Sequence, residues 1–442
     1  MHTTKRILGM SLAGMLFAAL AGLFSTAANA VPSFARQTGM ACAACHTAFP
    51  ELTAFGRQFK LDGYTLQNTP QVSNGDAKSP SLQISSIPPL SVMFQVAYTD
   101  TKGADNAQQG TRSNLQFPAQ YSLFYAGEIA PHLGAFLQVT HTDNSGGFSM
   151  DNSEIRYADH TQASGKDLLF GVVTNNNPGM SDVWQATPVW GYPFAGPLAY
   201  EAPRSSSLGG AVGGVGAYAM VDGSYYAELM MYKTMGSGGQ DTPLVDPWTN
   251  AAAIGAGSAV VNSGVAGWAP YFKLAYQNTF SDNFIQVGLS GMTTRLYATG
   301  TGTSGPTDSY KDIGLDLQYE RPLGNDSIVV RSAIIKETIG LDAYRQSVDP
   351  AQADVSFRVA KLNGSYHLGS DKVFSLGFVN TSGDGTAPGA STGTRAYVAE
   401  AAYYPWENVR LSAQYTSYSK FGGSTTGASD NNTIYLLGWF VF

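Results

Sequence analysis

From about residue 88 to its end, the chain alternates between apolar and polar positions. In SVMFQVAYT (91–99), Val92, Phe94, Val96 and Tyr98 share one parity, and Ser91, Met93, Gln95 and Thr99 share the other. YKDIGLDLQYE (310–320) sets Ile313, Leu315, Leu317 and Tyr319 against Asp312, Asp316, Gln318 and Glu320. VRLSAQYTSY (409–418) sets Val409, Leu411, Ala413 and Tyr415 against Arg410, Ser412, Gln414 and Thr416. Period two places successive side chains on opposite faces, so each stretch predicts a strand with one oily and one polar face. The connections alternate as well. Short turns at PHLG (131), ASGK (163), VDGS (221), SDN (281), PLGND (322), GSDK (369) and PWEN (405) take turns with long Gly/Ser/Thr/Asn-rich stretches. Seven turns and eight loops join about sixteen strands.

Composition says what the oily face meets. Charged residues are 13% of the chain, against about 25% in ordinary soluble domains. Aromatics reach 12%, glycines number 50, and mean hydropathy is only −0.09. Beyond the first thirty residues no apolar run reaches the length of a membrane helix. An aromatic-rich, sparsely charged, alternating chain without such a helix predicts a transmembrane antiparallel β-barrel, an all-β fold. A secreted sandwich or solenoid fits less well, because no repeat of fixed period is present. The last segment, TIYLLGWFVF, puts Ile434, Leu436, Phe440 and Phe442 on one parity, as a closing lipid-facing strand requires.

The front end reads differently. Lys5 and Arg6, the apolar ILGMSLAGMLFAALAGLF (7–24) and ANA (28–30) form an export signal over residues 1–30. The expected organisation is a signal at 1–30, a small helical haem domain and linker at 31–87, and the barrel at 88–442. Net charge is −7 for the whole chain, and without a basic cluster nucleic acid is excluded as a partner.

Both cysteines of the chain lie in Cys42-Ala-Ala-Cys45-His46. Two thiols one helical turn apart suit the two vinyl groups of one haem, and the adjacent histidine suits its iron. This predicts one covalent haem c held by Cys42 and Cys45, with His46 as axial ligand. A structural zinc site would need further ligands, a thioredoxin-like pair would need a βαβ context, and a plain disulfide is the remaining alternative. After the motif, Pro50 suits a first helical turn, and Leu52, Phe55 and Phe59 form one apolar stripe. Gly63 suits the helix end, and Arg57 and Lys60 are candidate contacts for the haem propionates.

PSFARQTGMACAACHTAFPELTAFGRQFKLDGY (32–64), followed by a barrel-like chain, resembles the fused outer-membrane cytochrome–porins of iron-oxidising bacteria. The likeness covers these residues closely and the remainder only in architecture. It implies electron transfer from extracellular Fe(II), or a similar small reductant, to a periplasmic cytochrome or copper protein. It further implies an outer-membrane location among lipid, with the haem domain on the periplasmic side or within the barrel lumen. Cys42, Cys45 and His46 carry over as haem ligands, and no iron-binding residue does.

The sixth ligand is open on sequence. Met93 has lumen-facing parity on the first strand, close to the haem motif, and is the first candidate, with His132 and His367 near short turns as others. The lumen carboxylates Glu154, Asp312, Asp316 and Glu320 suit either a dication path or an ordinary hydrated pore lining. The alternative function is a solute-conducting porin whose haem segment is a structural plug or sensor.

Overall fold

The computed structural model describes residues 32–66, 71–73, 83–103, 113–142, 147–184, 208–235, 244, 246–249, 263–299, 304–384 and 393–442. The export signal expected over 1–30 lies outside them, as does most of the linker.

The barrel opens with β1 (Leu90–Thr101), β2 (Ser113–Ala130), β3 (Leu133–Thr142) and β4 (Glu154–Ala163). It continues through β5 (Lys166–Asn175), β6 (Val212–Val221), β7 (Tyr225–Thr234) and β8 (Ala269–Phe280). Next come β9 (Asn283–Tyr297), β10 (Thr307–Leu323), β11 (Asp326–Gly340) and β12 (Val355–Leu368). β13 (Lys372–Gly383), β14 (Arg395–Trp406), β15 (Val409–Lys420) and β16 (Thr433–Val441) complete it. A two-residue piece, Ser149–Met150, pairs with β3 just before β4 begins. Each strand is antiparallel to its neighbour, and β16 closes on β1 with Leu437 opposite Ala97. The ring is thus closed, with sixteen strands and no free edge.

Pattern and burial agree strand by strand. On β10, Leu315 is 62% exposed on the outside while Gln318 is 1% exposed in the lumen. Leu376, Leu229, Val215 and Ile434 extend the outward apolar surface around the ring. Such a surface belongs against lipid, and strands of nine residues or more are long enough to cross it. All seven expected short turns join strands at one end, and the long connections lie at the other. Two of the turns, Ser164-Gly165 and Ser281-Asp282, have positive φ at both central residues, the hairpin geometry that matches strand twist.

The lumen is not empty at the short-turn end. Residues 32–66 fold into α1 (Pro32–Thr38), α2 (Cys42–Cys45), a two-stranded ladder of His46–Ala48 with Glu51–Leu52, and α3 (Ala54–Leu61). This segment touches lumen-facing groups around the ring. Gln37 donates to Ala126 O on β2, and Tyr218 of β6 donates to Leu61 O. Arg57 pairs with Glu320 of β10, Glu51 with Arg331 of β11, and Arg410 of β15 donates to Phe49 O. Contacts from so many strands place the segment inside the barrel as a plug.

Two further pieces reach inward. Residues 176–184 of the β5–β6 connection descend into the lumen, where Lys273 of β8 holds Asp182 at 2.9 Å and Asp316 at 3.1 Å. At the long-loop end, α4 (Asp342–Ser347) sets Tyr344 edge-to-face against Trp248, and Asp308 accepts the Ala343 N–H at 2.7 Å.

The helix expected after Pro50 starts later. Thr53 caps it by accepting the Gly56 N–H at 3.1 Å, and Pro50 sits in the connection between the two short strands. The expected stripe divides: Phe59 is 5% exposed and packs inward, whereas Phe55 is 37% exposed. The expected end is found. Gly63 N bonds Lys60 O and Tyr64 N bonds Phe59 O, a Schellman closure around Gly63 at φ +69°.

Candidate functional site

The Cys42–His46 stretch is held from several sides. The Cys42 N–H donates to Glu407 Oε2 at 2.7 Å, and Thr53 Oγ1 donates to Ala44 O at 2.6 Å. The second contact ties α2 to the capping residue of α3. The helices lie so close that a Cβ on Gly56 would meet Cys45 O at 2.1 Å, so only glycine fits there. Cys42 and Cys45 are not joined in a disulfide. Burial pushes the Cys45 thiol up to about 11 and the His46 imidazole down to about 4. At neutral pH the ring is therefore neutral. Its Nδ1 lies 3.2 Å from Glu51 O, the geometry of an N–H donated to that carbonyl, which leaves the Nε2 lone pair available.

Cys45 and His46 open onto a cavity of about 320 Å³ between the plug and the wall of β16, β1, β2 and β3. Part of the lining is aromatic. Phe34, Phe49 and Phe59 come from the plug, and Phe124, Phe136 and Trp439 from the wall. Met93 lines the same cavity, belongs to one buried cluster with Cys42, and its Sδ accepts from Gln95 Nε2 at 3.7 Å. Met40 and Met180 also face the cavity. Polar groups share the lining, with Trp439 opposite Gln95 and Phe124 opposite Gln138 on the ladder: Gln95, Gln120, Gln138, Asp151, Asn152 and Asp182.

The two cations named from the sequence part company. Lys60 lines the cavity, donates to Met180 O and lies 3.5 Å from Glu154. Arg57 is directed at the wall, where it pairs with Glu320 at 2.5 Å, donates to Leu52 O and lies over the Phe284 ring. His132 sits in the β2–β3 turn with Nδ1 at 3.2 Å from Ala158 O. His367 is buried on β12, and neither histidine lines the cavity.

Three of the four lumen carboxylates are paired with bases, which favours the pore-lining alternative over a dication path. Glu154 pairs with Arg156 at 3.0 Å, Asp316 with Lys273 and Glu320 with Arg57. Parity places a carboxylate in the lumen but does not show which base the barrel brings opposite it.

Several cavity residues were missed on sequence. Met40 and Met180 carry no local signal. The apolar lumen wall has one: Tyr435, Leu437, Trp439 and Val441 make both parities of β16 apolar, the mark of a strand packed on both faces.

A one-turn CxxC helix, a neutral histidine with Nε2 available, a thioether in the same cavity and aromatic walls together fit a covalently attached haem. No known family profile and no curated protein matches the chain. Solved barrels are similar to it. OmpF of Salmonella typhi in complex with daunomycin is 11% identical, over 80% of this chain and 97% of that one, with a TM-score of 0.47. The anion-selective porin of Comamonas acidovorans is 12% identical, over 80% and 98%, at 0.44. A loop L8 deletion mutant of OmpT, an outer membrane protein of Vibrio cholerae, is 11% identical, over 80% and 98%, at 0.42. The barrel assignment itself stands on the strand ladder.

Proposed function

We propose that this chain is an outer-membrane, porin-type barrel that carries one covalent haem in its plug. In this reading it transfers electrons from a small extracellular reductant, Fe(II) foremost, to a periplasmic cytochrome or copper protein. The observation that carries it is the meeting of Cys45, His46 and Met93 around one cavity. Cys42 and Cys45 would attach the porphyrin, His46 Nε2 would bind the iron, and Met93 is the candidate for the opposite axial position. When bound, the haem supplies one-electron chemistry at a potential that a methionine ligand raises relative to histidine.

The rest is done by the chain. Phe34, Phe49, Phe124 and Trp439 exclude water, and Lys60 brings a cation to the cavity wall. With short turns on the periplasmic side, as barrels of this type have them, the plug lies at the periplasmic end.

The second reading is a solute-conducting porin whose plug is structural or a sensor. A closed sixteen-stranded barrel bears on that reading more directly than on electron transfer, since sixteen strands are wide enough for an aqueous channel. Anaerobic stopped-flow visible spectroscopy with Fe(II), run beside planar-bilayer conductance, separates the two. Reduction of a bound haem supports electron transfer, whereas steady conductance without reduction supports the porin. Haem staining after denaturing electrophoresis should vanish in Cys42→Ala/Cys45→Ala, and a persisting stain would refute covalent attachment.

A further inference from the structure

We infer that polar side chains of the cavity wall dock a hydrated divalent cation, on the Asp151 carboxylate and the amide oxygens of Gln95, Gln120 and Gln138. The inference rests on the proposed electron transfer only for what the cation does there, not for its binding.

The ladder sets the geometry. β1 runs from the short-turn end, so Gln95 stands one lumen position beyond Met93 toward the long loops. Gln95 is opposite Gln120, Met93 is opposite Ser122, and Phe124 is opposite Gln138. Each glutamine spends its amide nitrogen on the wall. Gln95 Nε2 donates to Met93 Sδ, and Gln120 Nε2 donates to Ser122 Oγ at 3.2 Å. Gln138 Nε2 reaches Ser122 Oγ at 3.1 Å and Thr140 Oγ1 at 3.0 Å. An amide whose nitrogen is so engaged keeps its carbonyl oxygen as an acceptor, and all three residues line the cavity. Gln95 and Gln138 are 3% and 6% exposed, and their carbonyl oxygens have no partner among the described residues.

Asp151 completes the set. Its Oδ2 accepts from Thr140 Oγ1 and its Oδ1 from the Asn152 N–H, both at 2.8 Å. No basic side chain pairs with it among the described residues, unlike Glu154 or Asp182 nearby. Its neighbours are held too: Asn176 Nδ2 donates to the Asp151 backbone O at 2.6 Å, and Asn177 Nδ2 to the Asn152 side-chain Oδ1 at 2.7 Å. One carboxylate among neutral oxygens is the ligand chemistry of a hard, oxygen-preferring dication that keeps much of its water. Low ligand charge means weak binding, with a Kd of about 0.1–1 mM, which suits an ion in transit.

Mn(II) is the probe, because it shares this chemistry and its free aquo ion is read directly by electron paramagnetic resonance. Titrated into the purified full-length holoprotein, it should bind saturably. Asp151→Asn should weaken that binding about tenfold or more, and Asp151→Glu should restore part of it. Asp349→Asn, on the exposed β11–β12 connection, should change nothing. The gel shift between unheated and boiled samples certifies that each variant is folded. Equal Mn(II) affinity in Asp151→Asn and the unaltered protein overturns the site, as does the absence of saturable binding. Asp151-dependent Mn(II) binding with a haem that Fe(II) leaves oxidised sustains the site and removes the electron-transfer reading alone.

Discussion

The backbone N–H of Cys42 donates to Glu407 Oε2 at 2.7 Å, although the two residues are 365 positions apart. Glu407 lies in the short turn between β14 and β15, so the first cysteine is fastened to the barrel rim. A hydrogen bond to a charged acceptor contributes about 1.5–3 kcal/mol. Glu407→Ala should leave the barrel assembled but loosen residues 32–45. Limited trypsin digestion of the folded protein should then cut faster at Arg36, and an unchanged cleavage rate would contradict this role.

Arg57 and Lys60 should separate in experiment as they do in space. Breaking a buried ion pair from one side costs about 3–5 kcal/mol, and Arg57 is the buried partner of Glu320. Arg57→Met should therefore release the plug and raise single-channel conductance with the barrel intact. Lys60→Met removes a cation from the cavity wall and should shift the potential of the bound haem. Equal effects on both readouts would mean that the division between wall and cavity is wrong.

Met93 is the first candidate for the sixth ligand, and two variants test it. Met93→His should keep the iron six-coordinate and lower its potential, so that Fe(II) reduces it less completely. Met93→Ala should leave an open or water-bound position with altered visible bands. If both variants keep the spectrum and potential of the unaltered protein, Met180 and Met40 become the candidates, since they line the same cavity.

Leu315, at the middle of β10 and facing outward, reports on the membrane. A charge placed on the lipid face at midplane costs about 2–4 kcal/mol. Leu315→Arg should lower the folded, heat-modifiable fraction in vesicles, while Leu315→Phe should not. Equal assembly of the two variants would argue against lipid at that face.

Strand number, the outward face and the end-to-end alternation of turns and loops were legible in the sequence. The reason is that they are local: covalent geometry sends neighbouring side chains of a strand to opposite sides, and turn residues act over two to four positions. The one-turn helix that sets Cys42 and Cys45 beside His46 was legible for the same reason. Helix details were less so. Pro50 suits a helix start on intrinsic preference, but the Thr53 side chain satisfies the Gly56 N–H and moves the start to Ala54.

What only the tertiary structure decided is partnership. Parity states that Glu320 and Asp316 face the lumen and says nothing about which charge stands opposite. Closing the ring gave these two their bases, Arg57 and Lys273, and brought Asp151, which lies outside the strands, to the cavity with no base among the described residues. Likewise Arg57 and Lys60 lie three residues apart on α3, yet one meets the barrel wall and the other the cavity. Those outcomes depend on contacts between residues hundreds of positions apart in the chain. Such contacts exist only after sixteen strands have closed around residues 32–66.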